Sequence, residues 1–217
     1  MSWQDFKAVD FCITSYCQAR CPSCPRTSDM EEGYPVVPWL KLEHLNVDDW
    51  KRSIEEMDWS EHTFTFCGEV GDPMMHPDIS EFCDHSFNVA EFFRIHTNGG
   101  LRKPKWYAEA AKNYGKKLFI TFSIDGISQE TNEKYRIGVN FDRAMENMLT
   151  WHEVVKSLDV PRHTVWDFLV FEHNWQEIPE AVKIAEQNKL RLRLKLNTQD
   201  YGLLKSKEGM EVFNAYT

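Results

Sequence analysis

Short apolar runs alternate along the chain with longer segments whose apolar residues recur every three or four positions. The runs Ala8–Ile13, Thr63–Cys67, Phe92–Thr97, Leu118–Ile124, Val165–Phe171 and Leu190–Leu196 predict six β-strands. Between them, Trp50, Ile54 and Met57 fall on one face of a predicted helix over 47–57, and Ile79, Phe82 and Phe87 begin a second near Asp78. Residues 103–113 read as a third. The series Phe141, Ala144, Met145, Met148, Leu149 and Val155 marks the fourth, and Ile178, Ala181, Val182 and Ala185 the fifth. Asp29 to Lys41, rich in Pro, Gly and acidic residues, reads as an excursion over the surface. Repeated strand–helix alternation predicts an α/β fold with a parallel sheet. Six such units close only partway, giving a partial (β/α)6 parallel barrel. In parallel α/β folds ligands sit at the carboxyl ends of the strands, so the residues just after each strand carry the functional reading.

The most informative of these stretches follows the first strand. Phe11 to Arg26 holds Cys17, Cys21 and Cys24 in the spacing C-x3-C-x2-C. Three soft thiolates in one short loop suit one metal centre. They are an awkward set for structural zinc, which takes four protein ligands at paired spacings. A four-iron cluster held by three cysteines keeps one iron open to a small molecule. At these residues the chain resembles the radical S-adenosylmethionine (SAM) superfamily. The resemblance implies a [4Fe-4S] cluster on Cys17, Cys21 and Cys24, whose open iron chelates SAM. One-electron reduction then cleaves SAM to a 5'-deoxyadenosyl radical that abstracts hydrogen from a substrate. It also implies an electron donor such as flavodoxin or ferredoxin. The alternative from another class is a non-catalytic iron–sulfur or zinc-binding scaffold module.

Other strand ends extend the resemblance. Cys67 to Asp78 looks like the family's glycine-rich segment that contacts the SAM amino group, with Gly71 as its close-approach glycine. Placed against Pro73, the family's glutamate is Asp72 here, and Glu69 competes for the same role. His76 fits the His-Pro that follows this segment and is read as structural. Thr97-Asn98-Gly99 matches the family's "TNG", with Asn98 suited to a ribose hydroxyl. Ser123-Ile124-Asp125-Gly126, followed by Tyr135-Arg136-Ile137-Gly138, resembles a further family stretch. It implies Ser123 near the SAM ribose, Asp125 near substrate or SAM, and the planar fork of Arg136 on the SAM carboxylate. Ser23 stands where an aromatic residue often packs on adenine, leaving its backbone carbonyl for the adenine amino group. The form of the cysteine loop is similar to that of members with a C-terminal auxiliary-cluster extension (the SPASM and twitch groups), which favours a peptide substrate over a small molecule. On the last strand Arg193 and Lys195 alternate with Leu192, Leu194 and Leu196. Pointing inward they would offer charge to an anionic substrate, with Asn197 a weaker contact beyond them; a solvated outer edge is the expectation.

Composition bounds the rest. The chain has 217 residues, 42% of them hydrophobic, enough for one sizeable domain. Residues 1–200 are expected to form the core domain, and 201–217 a short polar tail, with a truncated extension as the alternative. No apolar run approaches the roughly 18 residues of a membrane helix. The N-terminus lacks a signal-peptide layout, and thiolate ligands need a reducing compartment, so a cytoplasmic location is expected. Of the six cysteines, Cys12, Cys67 and Cys83 stand singly and read as core or loop thiols. A net charge of −9 argues against non-specific nucleic-acid binding, which rests on neutralising phosphates.

Overall fold

The computed structural model describes residues 6–28, 30–67, 69–198 and 200–217. Asp29, where the surface excursion was expected to begin, and Gly68 of the glycine-rich segment lie outside the described residues. The six strands are β1 (Ala8–Phe11), β2 (Thr63–Phe66), β3 (Phe92–Thr97), β4 (Leu118–Ser123), β5 (Thr164–Val170) and β6 (Arg191–Leu196). They form one sheet in sequential order, with every neighbouring pair parallel. The long helices are α1 (Val47–Ile54), α2 (Ile79–Val89), α3 (Pro104–Tyr114), α5 (Phe141–Ser157) and α6 (Ile178–Asn188). With a helix in each crossover, this is the partial α/β barrel that the alternation predicts.

Strand periodicity sorts the side chains onto two faces. Phe64 and Phe66 of β2, Phe93 and Ile95 of β3, Ile120 and Phe122 of β4, and Trp166 and Phe168 of β5 are completely buried. They meet the apolar stripes of the helices. Trp50 of α1 stands 4.8 Å from Phe82 of α2 and 6.0 Å from Phe64 between ring centroids. The helices start where capping residues allow: Asn46 Oδ1 accepts the Asp48 and Asp49 amides ahead of α1, and Asn140 accepts the Arg143 amide ahead of α5.

Two elements depart from the sequence reading. A five-residue helix, α4 (Gln129–Glu133), follows β4, capped by Ser128 through the Thr131 amide. The C-terminal segment, expected as a polar tail, contains α7 (Lys207–Ala215). It docks on the loop after β5, where Glu172 accepts the Lys205 and Ser206 amides and Gly209 packs between Leu204 and Trp175.

Candidate active site

The cysteine loop leaves β1 and is tied down by its own buried polar groups. Arg26, 5% exposed, donates from Nε to the Ser15 carbonyl (3.2 Å) and from Nη1 to the Ala19 carbonyl (3.2 Å). Thr27 Oγ1 donates to the carbonyls of Cys21 (2.6 Å) and Cys24 (3.2 Å). Between these cysteines Ser23 adopts a left-handed φ of 59°, which turns the chain so that the Cys24 amide donates back to the Cys21 carbonyl. The β2 loop is pressed onto the same loop. A Cβ on Gly71 would lie 2.1 Å from the Thr14 carbonyl oxygen, and the Asp72 amide donates to the Tyr16 carbonyl at 2.8 Å. Gly71 is thus required by backbone approaching backbone.

Cys17, Cys21 and Cys24 line one cavity of about 180 Å³ at the carboxyl ends of the strands. Around it stand Glu69, Gly71 and Asp72 from the β2 loop, Asn98 after β3, Ser123 at the end of β4, and Arg136. Ser23 and Asp125 do not line it. Burial pushes the Cys17 thiol up to about 12 and raises Cys21 as well, so any metal these sulfurs take must displace their protons. Among the described residues no three His, Cys, Asp or Glu side chains are grouped to hold a single metal ion. The thiols therefore do not converge on one point; a cluster, which takes one thiolate per iron, does not ask them to. Two of these sulfurs also meet N–H groups. The Ala19 amide lies 3.4 Å and Asn98 Nδ2 3.8 Å from Cys17 Sγ, and Arg136 Nη1 lies 3.9 Å from Cys21 Sγ.

The two aspartates expected near SAM are occupied by the protein itself. Asp72 accepts the Met74 amide, the Asn98 amide and the Thr97 hydroxyl, each at 2.9 Å, and so ties the β2 loop to the end of β3. Asp125 is buried behind Arg136. Its Oδ2 accepts Arg136 Nε at 2.6 Å and its Oδ1 the Leu169 amide at 2.7 Å. Burial raises both carboxyls, opposed by these donors. Since each Asp125 oxygen faces a donor, the group is ionised and holds the guanidinium at the cavity wall. Glu69, by contrast, is exposed and makes no hydrogen bond or ion pair among the described residues. His76 is structural as expected, accepting the Asp78 amide on Nδ1 and donating from Nε2 to the Leu45 carbonyl at 2.9 Å.

Three features escaped the sequence reading. Gln18 exchanges amide hydrogen bonds with Asn98, 2.6 Å to Oδ1 and 3.3 Å from Nδ2, which orients Asn98 at the cavity. Cys67 lines the cavity, with its sulfur 3.8 Å from His96 Nδ1, whereas Cys83 is a core thiol. Arg193 and Lys195 stand on the inner face, not on a solvated outer edge. Both pair with Asp167, which is level with the cavity residue Ser123 across β4 and β5. Alternation with leucine marks a half-solvated face, and here that face is the barrel interior.

A barrel whose strand ends converge on three cluster-spaced thiols defines the class, and sequence comparison agrees. The pattern of the radical SAM superfamily matches residues 11–187, and the chain belongs to that superfamily, whose members bind a [4Fe-4S] cluster and SAM. Comparison with curated proteins by sequence gives no match. Among solved structures, SuiB of Streptococcus suis bound to S-adenosylmethionine superposes with a TM-score of 0.71 at 17% identity, over 97% of this chain and 46% of that one. Native anSMEcpe with bound AdoMet gives 0.64 at 16% identity, covering 95% and 57%. Methylornithine synthase (PylB) gives 0.56 at 15% identity, covering 91% and 55%. The chain thus spans about half the length of these structures, and at such identities the likeness is one of fold. No helix among the described residues is long and apolar enough to cross a membrane.

Proposed function

We propose that this chain is the SAM-cleaving core of a radical SAM enzyme. The observation that carries the reading is the convergence of Cys17, Cys21 and Cys24 on one cavity that also receives Glu69, Asn98, Ser123 and Arg136. The donor set fits the cluster: three soft thiolates and N–H groups aimed at two of the sulfurs. When bound, the reduced cluster supplies the electron that cleaves SAM. The chain's own residues bind and orient. Glu69, exposed at the rim with an unspent carboxylate, is the acceptor for the SAM ammonium, while Asp72 braces the loop that presents Gly71. Arg136, anchored through Nε, offers its remaining N–H groups to the SAM carboxylate. Asn98, held by Gln18, and Ser123 face the ribose, and Ser23 turns the loop on the adenine side.

The substrate is proposed to be a peptide, acted on by hydrogen abstraction. Support comes from the form of the cysteine loop and from the likeness to SuiB, solved bound to precursor peptide SuiA. A reductant such as flavodoxin or ferredoxin would supply the electron. Anaerobic reconstitution with iron and sulfide, followed by reduction with SAM, is expected to yield 5'-deoxyadenosine. An intact cluster that releases none would leave the iron–sulfur scaffold reading in its place, and bound zinc without visible absorption would leave the zinc one.

A further inference from the structure

We infer that the β5–β6 wall of the barrel interior binds the carboxylate groups of an acidic substrate, with Arg193 and Lys195 as its cations and Asp167 as the residue that positions them. The inference rests on the radical SAM reading for the identity of the reacting site, but not for the binding itself.

Arg193 meets Asp167 through Nε (2.5 Å to Oδ1) and Nη2 (2.8 Å to Oδ2), and Lys195 Nζ meets Oδ2 at 2.6 Å. A brace between adjacent strands needs one cation per carboxylate. Here two cations share one, leaving an excess positive charge on a wall in a chain whose net charge is −9. Both cations keep capacity to spare, for Arg193 Nη1 and two of the Lys195 protons have no acceptor among the described residues. Their side chains are 40% and 46% exposed, while that of Asp167 is 10% exposed. The carboxylate thus sits behind and the cations in front. Two-point attachment fixes the guanidinium plane so that its free edge is presented without ordering a long side chain anew.

The wall looks toward the reaction cavity. Charge on Arg193, Lys195 and Asp167 acts on His96, and charge on Lys195 acts on Cys67; both of these residues line the cavity with the cluster-spaced thiols. Asp10, on β1 at the opposite end of the strand order from β6, and Glu69 act on Cys67 with the opposite sign. The interior is therefore polarised, acidic beside β1 and β2 and basic beside β6. A substrate with a carboxylate at one end is drawn toward β6, and its body lies across the cavity.

The test uses the full chain, reconstituted with cluster, and a fluorophore-labelled hexaglutamate peptide followed by anisotropy at low salt. Binding is expected despite the repulsion of a net-acidic chain. Replacing Arg193 and Lys195 together by Met is expected to weaken it by about tenfold or more. Asp167→Asn keeps an amide oxygen to hold Arg193 while removing the carboxylate that competes with the substrate, and is expected to tighten binding severalfold, a gain that damage to the fold does not mimic. Lys105→Met with Lys207→Met, which removes two cations outside the barrel, is expected to change nothing. Absence of binding, equal loss with the outer pair, or failure of Asp167→Asn to tighten overturns the proposal. Free glutamate at equal carboxylate concentration separates the sources. Full competition assigns the site to a small acid, weak competition to a peptide, and both support it. 5'-Deoxyadenosine measured in parallel samples with SAM and reductant but no peptide reports on the radical SAM reading separately from the anisotropy.

Discussion

The outer and inner faces of one sheet are built from alternate residues of the same strands, yet they obey different rules. On β2, Phe64 and Phe66 are wholly buried beneath helices, while Thr65 between them and Cys67 after them face the interior. On β5, Trp166 and Phe168 do the same around Asp167. The outer face is stabilised by area removed from water, at about 25 cal/mol per Å² of apolar surface. The inner face is a scaffold of polar groups held by one another. Stability and chemistry are thereby separated by a single residue of register, and substitutions on the two faces should affect different measurements.

Largest is the effect expected at the cysteines. Any of Cys17→Ala, Cys21→Ala or Cys24→Ala is expected to abolish cluster binding and 5'-deoxyadenosine formation, with the thermal midpoint of the metal-free chain nearly unchanged. Iron content and product analysis check the first two, and calorimetry the third. A large loss of folding in the metal-free variants would break the separation of faces. Next, Phe64→Ala on the outer face is expected to cost about 3–5 kcal/mol of stability in urea titration, as for other large buried aromatics. Thr65→Ala, one residue away, is expected to cost about 1 kcal/mol or less.

The carboxylates sharpen the comparison within the inner face. Asp72→Ala strands the Asn98 and Met74 amides and the Thr97 hydroxyl, and is expected to cost about 1–3 kcal/mol. Glu69→Gln is expected to leave stability within about 0.5 kcal/mol while raising the KM for SAM. The opposite pattern would return the SAM contact to Asp72. Smallest is a pH effect at Asp167. Burial raises its carboxyl, and the hydrogen bonds and charges of Arg193 and Lys195 together outweigh burial and lower it. With the folded value below the unfolded one of about 3.9, its contribution is present above that pH and is lost as pH falls through the folded value. Asp167→Asn should therefore flatten the acid limb of a stability–pH curve below about pH 4, and an unaltered limb would deny the pairing.

Much of this was legible in the sequence where a residue's neighbours along the chain decide its state. The six strands and the stripe of α5 follow from apolar period alone, and the cysteine loop from spacing. α4 was not, because five mostly polar residues carry no stripe and only Ser128 marks its start. Candidate site residues were legible as a set, since strand ends gather them, but their individual roles were not. Asp72 and Glu69 differ only in which long-range partners reach them. Asp125 reads as a ligand contact until Leu169 and Arg136 occupy its two oxygens. The inward and outward placements of Arg193 and Lys195 are not separable by pattern, because water fills both the exterior and an open barrel and hydropathy does not distinguish them.

The contact between Gly71 and the Thr14 carbonyl has a consequence for what position 71 can tolerate. A single added methyl there would push the thiol-bearing segment and the neighbouring crossover apart together, because backbone on either side has no flexible side chain to yield. One hydrogen atom in place of a carbon thus governs the spacing between the three sulfurs and the wall that faces them.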